Sequence, residues 1–169
     1  KEAGMQGSVV VGGGASVAAP EVHASHAAVA TTETRGNQPL AYTLDGQTKV
    51  FDLHAQHVQW EVLPGETVDA FAYNGMVPGP LIRATEGDNV RINFTNSLPE
   101  PTVIHFHGPR LPNSMDGVVD VTQKVVQPGA TFTYEFVAQP GGTFMYHTHH
   151  NSAEQESKGL YGVFIVDPK

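Results

Sequence analysis

The sequence predicts an all-β protein in which two sheets pack face to face. Turn-forming pairs such as Pro64-Gly65 and Pro128-Gly129 recur from about residue 42, at roughly the 8–12-residue spacing expected of a sandwich or barrel. Between the turns, apolar residues alternate with polar ones, as Val90, Ile92 and Phe94 do with their neighbours. Because alternate side chains of a strand point to opposite faces, each sheet is expected to have one buried face.

The alternating or β-branched runs define eight predicted strands. They are 49–53, 58–63, 67–73, 89–95, 102–107, 130–137, 143–149 and 162–166. One short helix is expected after the seventh strand, because Ser152-Ala153-Glu154-Gln155 fits a capping box and Gly159 fits a helix C-terminus. This helix would cover one end of the sandwich.

Residues 1–40 differ in composition from the rest of the chain. The segment from Val9 to Ala30 consists almost entirely of Gly, Ala, Val and Ser. We expect a flexible N-terminal arm over residues 1–40 and a single domain over residues 41–169. The run from Val9 to Ala19 is faintly similar to the apolar part of a signal peptide, although glycines interrupt it. If it reflects export, the protein is periplasmic or extracellular.

Charge and composition exclude several classes of function. The net charge is −8, and lysines and arginines do not cluster, so nucleic acid and anionic membrane surfaces are poor partners. The chain has no cysteine, which excludes disulfides, thiol catalysis and a copper–thiolate site within it. No stretch approaches the roughly 20 apolar residues of a spanning helix, so no membrane span is expected.

Two histidine pairs of identical spacing, His105-Phe106-His107 and His147-Thr148-His149, point to a metal. In a strand, residues two apart lie on the same face, about 6.6 Å from each other. If the two strands are neighbours, four imidazoles converge. An all-imidazole set without a thiolate or an obvious carboxylate favours copper among the divalent metals. A lone pair of this kind is more often a packing or surface feature, and the repetition of the pair favours the metal.

Three other histidines are not expected to be ligands. His150 follows the second pair and would face away from it on a continuous strand. His54 and His57 are three residues apart, so they would lie on opposite faces of a strand and serve packing or the surface.

The residues around the two pairs resemble the first cupredoxin domain of the multicopper oxidases, the family of laccases and bacterial copper oxidases. The similarity is carried, in order, by Phe71, Tyr73-Asn74-Gly75-Met76-Val77-Pro78-Gly79-Pro80, Glu86-Gly87-Asp88, His105-Phe106-His107-Gly108, Asp116-Gly117, Thr122-Gln123, Gln127-Pro128-Gly129, Phe132-Thr133-Tyr134-Glu135-Phe136, Gly142-Thr143-Phe144-Met145-Tyr146-His147-Thr148-His149 and Gly159-Leu160-Tyr161-Gly162. The family often has Trp where Phe106 and Met145 stand. Both substitutes are apolar, so the ligand assignment is unaffected.

The resemblance implies a Greek-key cupredoxin sandwich and a trinuclear copper centre that reduces dioxygen to water. Carried over, His105 is a ligand of the type 2 copper, and His107, His147 and His149 are ligands of the binuclear type 3 coppers. The acidic residue after the first pair, Asp116, would relay protons at the type 2 copper. The alternative role for Asp116 is that of a turn residue before Gly117.

The family's trinuclear centre needs eight histidines, and the two pairs supply four. The other four, together with the Cys of the type 1 copper, belong to a later domain. We therefore expect the N-terminal domain of a multicopper oxidase, completed by a C-terminal cupredoxin domain in the same or another chain and supplied with electrons by a phenolic or metal-ion donor. The alternatives are a copper nitrite reductase, against which the lack of cysteine argues, and a non-catalytic copper-binding cupredoxin-like protein. A copper–zinc superoxide dismutase is disfavoured because its disulfide is missing.

Overall fold

The computed structural model describes residues 29–31 and 35–169. The strands in this part of the chain are β1 (Val29–Thr31), β2 (Thr43–Asp45), β3 (Thr48–Leu63), β4 (Glu66–Tyr73), β5 (Ile82–Thr85), β6 (Asn89–Ser97), β7 (His105–His107), β8 (Thr131–Val137), β9 (Gly142–His147) and β10 (Tyr161–Asp167). A 3-10 turn, Asn113–Met115, follows β7, and the helix α1, Ser152–Ser157, follows β9.

The strands form two sheets. One sheet has the order β1-β3-β6-β8, with β2 and β4 also paired to β3, and the other has the order β5-β10-β9-β7. Both sheets are mixed, since β3 runs parallel to β6 and β5 runs parallel to β10. The expectation of a two-sheet sandwich with one short α-helix is confirmed for the described residues. None of the helices in this part of the chain has the length and apolar character needed to cross a membrane.

Most of the predicted arm lies outside the described residues. Its three residues Val29–Thr31 form β1, which pairs in parallel with Val58–Trp60 of β3. Pro39, close to the end of the predicted arm, also joins the fold through a bridge with Leu81.

An aromatic core lies between the sheets and fixes the orientation of β7. Phe106, the central residue of β7, is 1% exposed. Its ring lies 5.4 Å from Tyr134, 5.1 Å from Phe136 and 6.2 Å from Phe164, in edge-on arrangements. Such contacts bury large apolar surfaces and favour this geometry. Because Phe106 points into the core, the histidines on either side of it must point out of the opposite face.

Two of the predicted strands, 49–53 and 58–63, are one continuous strand in the structure, β3. The prediction of a break was wrong because the connecting residues 54–57 contain no Gly or Pro, and the two halves simply pair with different neighbours. Lys49 to His54 pair with β6, and Ala55 to Glu61 pair with β4. The short strand β5 was not predicted, since it is only four residues long and lies between two turns.

Both predicted histidine strands are longer than the observed ones. The strand predicted over 102–107 is regular only at His105–His107, and Thr102 instead forms an isolated bridge with Val126. The strand predicted over 143–149 ends at His147. His149 and His150 therefore lie beyond β9, and the prediction that strand alternation orients them was wrong.

The helix prediction was right about position and wrong about the N-cap. Asn151, in the left-handed region with φ 46°, occupies the N-cap position, and no side chain caps the helix. Gln155 cannot reach back to Ser152, as a capping box requires, because its side chain is buried in another network. Gly159, with φ 121°, follows the helix as expected and donates its N–H to the carbonyl of Glu156.

Candidate metal centre

Strand pairing brings the two histidine pairs together. β7 and β9 are antiparallel neighbours in which His105 lies opposite His147 and His107 lies opposite Met145. Directly opposed residues share one face of a sheet, so three histidines and Met145 face the same side. His105, His107 and His147 each offer a ring nitrogen within 4.8 Å of those of the other two. This is the arrangement expected of ligands to a shared metal site.

His149, the fourth predicted ligand, lies at the edge of this group. Its ring centroid is 5.2 Å from that of His105 and 6.3 Å from that of His147. It is exposed, as is His107, whereas His147 is only 8% exposed. The imidazole cluster is therefore backed by protein on one side and open on the other.

The remaining histidines of the described chain have other contacts. His54 Nε2 lies 2.6 Å from the Ser97 hydroxyl. His57 Nε2 lies 3.2 Å from the Asp69 carboxylate on the surface. The backbone N–H of His150 donates to the Thr148 hydroxyl at 3.2 Å. These contacts match the expected packing and surface roles of His54 and His57.

Hydrogen bonds at Nδ1 leave Nε2 free on two of the clustered rings. His105 Nδ1 lies 2.5 Å from the Asp116 carbonyl oxygen. His147 Nδ1 lies 2.8 Å from the Thr148 carbonyl oxygen and 3.1 Å from Glu156 Oε1. Because carbonyl oxygens can only accept, both Nδ1 atoms must carry the proton. His147 Nε2 then carries no proton and lies 3.5 Å from His107 Nδ1. This nitrogen of His147 is available to a metal.

Asp116 reaches the site through both its backbone and its side chain. It is the C-terminal cap of the 3-10 turn, which places its carbonyl on His105 and its carboxylate 3.6 Å from the same Nδ1. The next residue, Gly117, has φ +77°, and a Cβ there would lie 1.8 Å from the Ile104 carbonyl oxygen. Only glycine allows this close approach of the loop to the start of β7.

A buried polar network fixes Thr148, the residue between the two histidines of the second pair. Thr148 is fully buried, and its hydroxyl lies 2.7 Å from Gln155 Oε1 and 3.1 Å from the Thr102 hydroxyl. Gln155 Oε1 also accepts from Thr102 at 2.8 Å, and its Nε2 donates to Glu100 Oε1 at 2.5 Å and to the Pro101 carbonyl at 2.9 Å. All polar atoms of the buried amide are thus used, and α1 is held against the segment that leads into β7.

The electrostatic setting of His105 favours the ligand form. Burial lowers the pKa of His105, and the hydrogen bond and charge of Asp116 offset this only in part. The neutral imidazole is the form that binds a metal. The lowered pKa therefore keeps the His105 ring in its metal-binding form down to a lower pH than an unperturbed histidine.

Sequence reasoning missed Glu156, Gln155 and Gly117 as contributors to the site. The histidine spacing contains no information on Glu156, which is nine residues beyond His147 and reaches it only because α1 folds back. The sequence pattern assigns Gln155 to a capping box and gives no sign of its buried network. Gly117 had a usable signal, since a Gly directly after an Asp predicts positive φ, but its distance from β7 could not be derived.

Comparison with known proteins identifies a family that this chain resembles. The family described as multicopper oxidase matches residues 54–169. A copper resistance protein A homolog of Pseudomonas syringae pv. tomato is 40% identical over 119 residues, which are 70% of this chain and 20% of that protein. An L-ascorbate oxidase of Cucumis sativus is 48% identical over 98 residues, 56% of this chain and 16% of that protein.

Solved structures show the same relationship. A multicopper oxidase from Pseudomonas thermotolerans superposes with a TM-score of 0.70 at 45% identity, over 72% of this chain and 30% of that one. A blue copper oxidase from Nitrosomonas europaea gives a TM-score of 0.69 at 41% identity, over 71% of this chain and 39% of that one. The expected cupredoxin sandwich is thereby confirmed. The chain spans about a fifth of the length of the first curated relatives, and on the match over residues 54–169 it belongs to the multicopper oxidase family.

Proposed function

We propose that this chain supplies half of the histidine ligands of a trinuclear copper centre that reduces dioxygen to water. The observation that carries the proposal is the cluster of His105, His107 and His147, with ligand nitrogens within 4.8 Å of one another. The family match supports copper as the metal and oxidation as the reaction class.

The orientation of the imidazole rings is compatible with copper binding. Nδ1 of His105 and of His147 is taken by oxygen acceptors, so each ring presents Nε2 to the cluster. Imidazole suits copper, and the described site contains no thiolate that would create a blue centre. When bound, copper would supply the one-electron steps and the oxygen-binding positions that no side chain can provide.

We assign His105 to the type 2 copper and His107, His147 and His149 to the binuclear type 3 coppers, following the family pattern. His105 donates a hydrogen bond to the Asp116 carbonyl and lies 3.6 Å from its carboxylate, which supports a separate role for this ring. His149 lies outside β9 and is exposed, so it can turn toward a metal without disturbing the sheet. The chain's own contribution is to orient these four rings.

Asp116 is proposed as the proton relay of this half-site. Its carboxylate lies 3.6 Å from His105 Nδ1 and is 38% exposed, which allows it to exchange protons with water. Its carbonyl holds the same ring, so the turn role and the relay role are compatible in one residue.

The exposed side of the histidine cluster supports the proposal that further ligands come from outside this domain. His107 and His149 are exposed there, and the relatives are about five times as long as the matched part. We propose that a C-terminal cupredoxin domain, in the same or another chain, covers this face with four more histidines and a type 1 copper. That part would receive electrons from a phenolic or metal-ion donor.

Oxygen consumption with a phenolic donor tests this proposal. The copper-loaded 169-residue chain alone should turn over no dioxygen and show no intense blue absorption. Addition of the complementary domains should produce four-electron oxygen reduction that is lost when His105 is replaced by Ala. Full activity of the chain alone would contradict the proposal. Copper binding by the complete protein without any oxidase activity would also contradict it, and would favour a copper-binding protein without turnover.

A further inference from the structure

The carboxylate of Glu156 lies on the side of the His147 ring that faces away from the cluster. Glu156 Oε1 is 3.1 Å from His147 Nδ1, while Nε2 of the same ring points toward His107. The His147 side chain is 10% exposed and that of Glu156 is 36% exposed. The contact is thus partly shielded from water on the histidine side.

The contact is built by a rigid support and is not a chance approach of two surface side chains. Glu156 directly follows Gln155, whose buried amide makes hydrogen bonds to Thr148, Thr102 and Glu100. The same amide therefore holds both the helix that carries Glu156 and the residue that follows His147. The two partners are fixed relative to each other by one network.

We propose that Glu156 is a positioning residue for His147, holding the proton on Nδ1 so that Nε2 is the metal-binding atom. The proposal rests on the proposed function in that it takes His147 to be a copper ligand. A carboxylate on the far nitrogen of a ligating histidine fixes the tautomer and ring orientation and makes the ligand nitrogen more basic.

The Thr148 carbonyl accepts from the same Nδ1 at 2.8 Å, so Glu156 does not act alone. The carbonyl supplies an acceptor, but it comes from the adjacent residue and carries no net charge. Glu156 adds the negative charge and restrains the ring from a separate element. Its removal should weaken the site without unfolding the strand.

A matched control lies on the same helix. Glu154 binds Lys158 at 2.6 Å and Asn151 at 2.9 Å and has no contact with the histidines among its hydrogen bonds. Replacement of Glu154 by Ala removes the same side chain from α1 without touching His147. Any loss shared by both variants is a property of the helix.

Two measurements on the 169-residue chain test the proposal. Titration of the metal-free chain with Cu²⁺ against a competing chelator gives the affinity, and long-range ¹H–¹⁵N correlation spectra of the metal-free chain give the tautomer of His147. We expect Glu156→Ala to lower the affinity about 10- to 100-fold and to raise the population of the Nε2–H tautomer. Glu156→Gln, which keeps an acceptor but not the charge, should keep the tautomer and lose less affinity, and Glu154→Ala should match the unchanged chain.

The proposal is overturned if Glu156→Ala keeps the affinity of the unchanged chain, if the affinity falls with no change at the His147 ring, or if Glu154→Ala loses as much. Circular dichroism shows whether Glu156→Ala is folded. If it is not, Glu156→Gln decides the question, because its Cu²⁺ affinity should lie below that of the unchanged chain. If the unchanged chain itself binds no Cu²⁺, the proposed function fails, and the tautomer comparison still decides whether Glu156 positions His147.

Discussion

His105 and His147 lie directly opposite each other in the antiparallel register of β7 and β9, with ring centroids 5.3 Å apart. In the neighbouring pair of this register, Phe106 and Tyr146 face the opposite side and are buried. A shift of the register by one residue would exchange these faces. The aromatic core therefore sets the geometry of the imidazole cluster.

Replacement of His105, His107 or His147 by Ala should abolish high-affinity copper binding by the complete enzyme. Each change removes a ligand nitrogen, so the loss should exceed the roughly 10–100-fold typical of an outer hydrogen-bond partner. Metal analysis after dialysis measures it, and circular dichroism should show an unchanged sandwich. His57→Ala serves as the control because His57 contacts Asp69 on the surface. Copper retention by all three variants would contradict the site.

Gly117→Ala should destabilise the loop that carries Asp116. The added Cβ would lie 1.8 Å from the Ile104 carbonyl, so the loop must move away from β7. We expect a loss of about 2–4 kcal/mol in the free energy of unfolding, measured by urea denaturation, and a lower copper affinity.

Gly129→Ala is the matched control for this change. Gly129 has φ +78°, but a Cβ there meets nothing within 4 Å. It should cost only the roughly 1 kcal/mol of the left-handed conformation. Equal losses for the two variants would show that the contact with Ile104 is unimportant.

Gln155→Ala should be among the most destabilising single changes on α1. It leaves the buried hydroxyls of Thr102 and Thr148 without their shared acceptor. Since each buried unsatisfied polar group costs about 1–3 kcal/mol, a loss of about 2–4 kcal/mol is expected. Ser157→Ala, on the exposed side of the same helix, should change the free energy of unfolding by less than about 0.5 kcal/mol. Thermal or urea unfolding at neutral pH compares them.

Asp88 should contribute to stability at neutral pH and lose this contribution in acid. Partial burial opposes its ionisation, but the hydrogen bonds from Lys49 at 2.7 Å and from the Thr85 N–H outweigh burial and lower its pKa below the usual 3.8. A lowered pKa in the folded state means that the contribution is complete above about pH 4 and disappears as the pH falls through the folded value.

Asp88→Asn tests this dependence. The variant should be less stable by about 1–2 kcal/mol at pH 7, and the difference should shrink below pH 4. Urea denaturation at pH 7 and at about pH 3 measures it. A difference that stays constant between the two pH values would contradict the role of the charge.

Asp116→Asn separates the relay from the turn. The amide keeps the shape of the residue, and the backbone carbonyl still accepts from His105, so copper content should stay near normal. The amide cannot pass protons, so reoxidation of the reduced complete enzyme should slow and its pH profile should change. An unchanged rate across pH would restrict Asp116 to its turn and its hold on His105.

The shared face of each histidine pair was predictable from the sequence, and the environment of the rings was not. The alternation around Phe106 predicted that the two histidines of each pair share a face, and the repeated spacing predicted a metal site on the condition that the two strands are neighbours. The structure meets this condition, since β7 pairs with β9. The end of β9 at His147 could not be derived, because Thr148 continues the alternating pattern but uses its hydroxyl in the Gln155 network. Glu156 reaches His147 through the fold of α1, and no local pattern encodes that distance.

The sheets also contain features that were predictable from the sequence and features that were not. Alternation at Val90, Ile92 and Phe94 predicted the buried face of β6, and all three are at most 1% exposed. β5 and β2 are only four and three residues long, and they are held by pairing to β10 and β3. Strands this short depend on tertiary contacts, which a local sequence pattern does not contain.

The central claim is tested most directly by anomalous diffraction at the copper edge from crystals of the copper-loaded complete enzyme. The account predicts copper peaks at bonding distance, about 2 Å, from ring nitrogens of His105, His107, His147 and His149, with the Nε2 atoms of His105 and His147 as the bonded ones. Copper bound elsewhere, or through Nδ1 of these two rings, would contradict it.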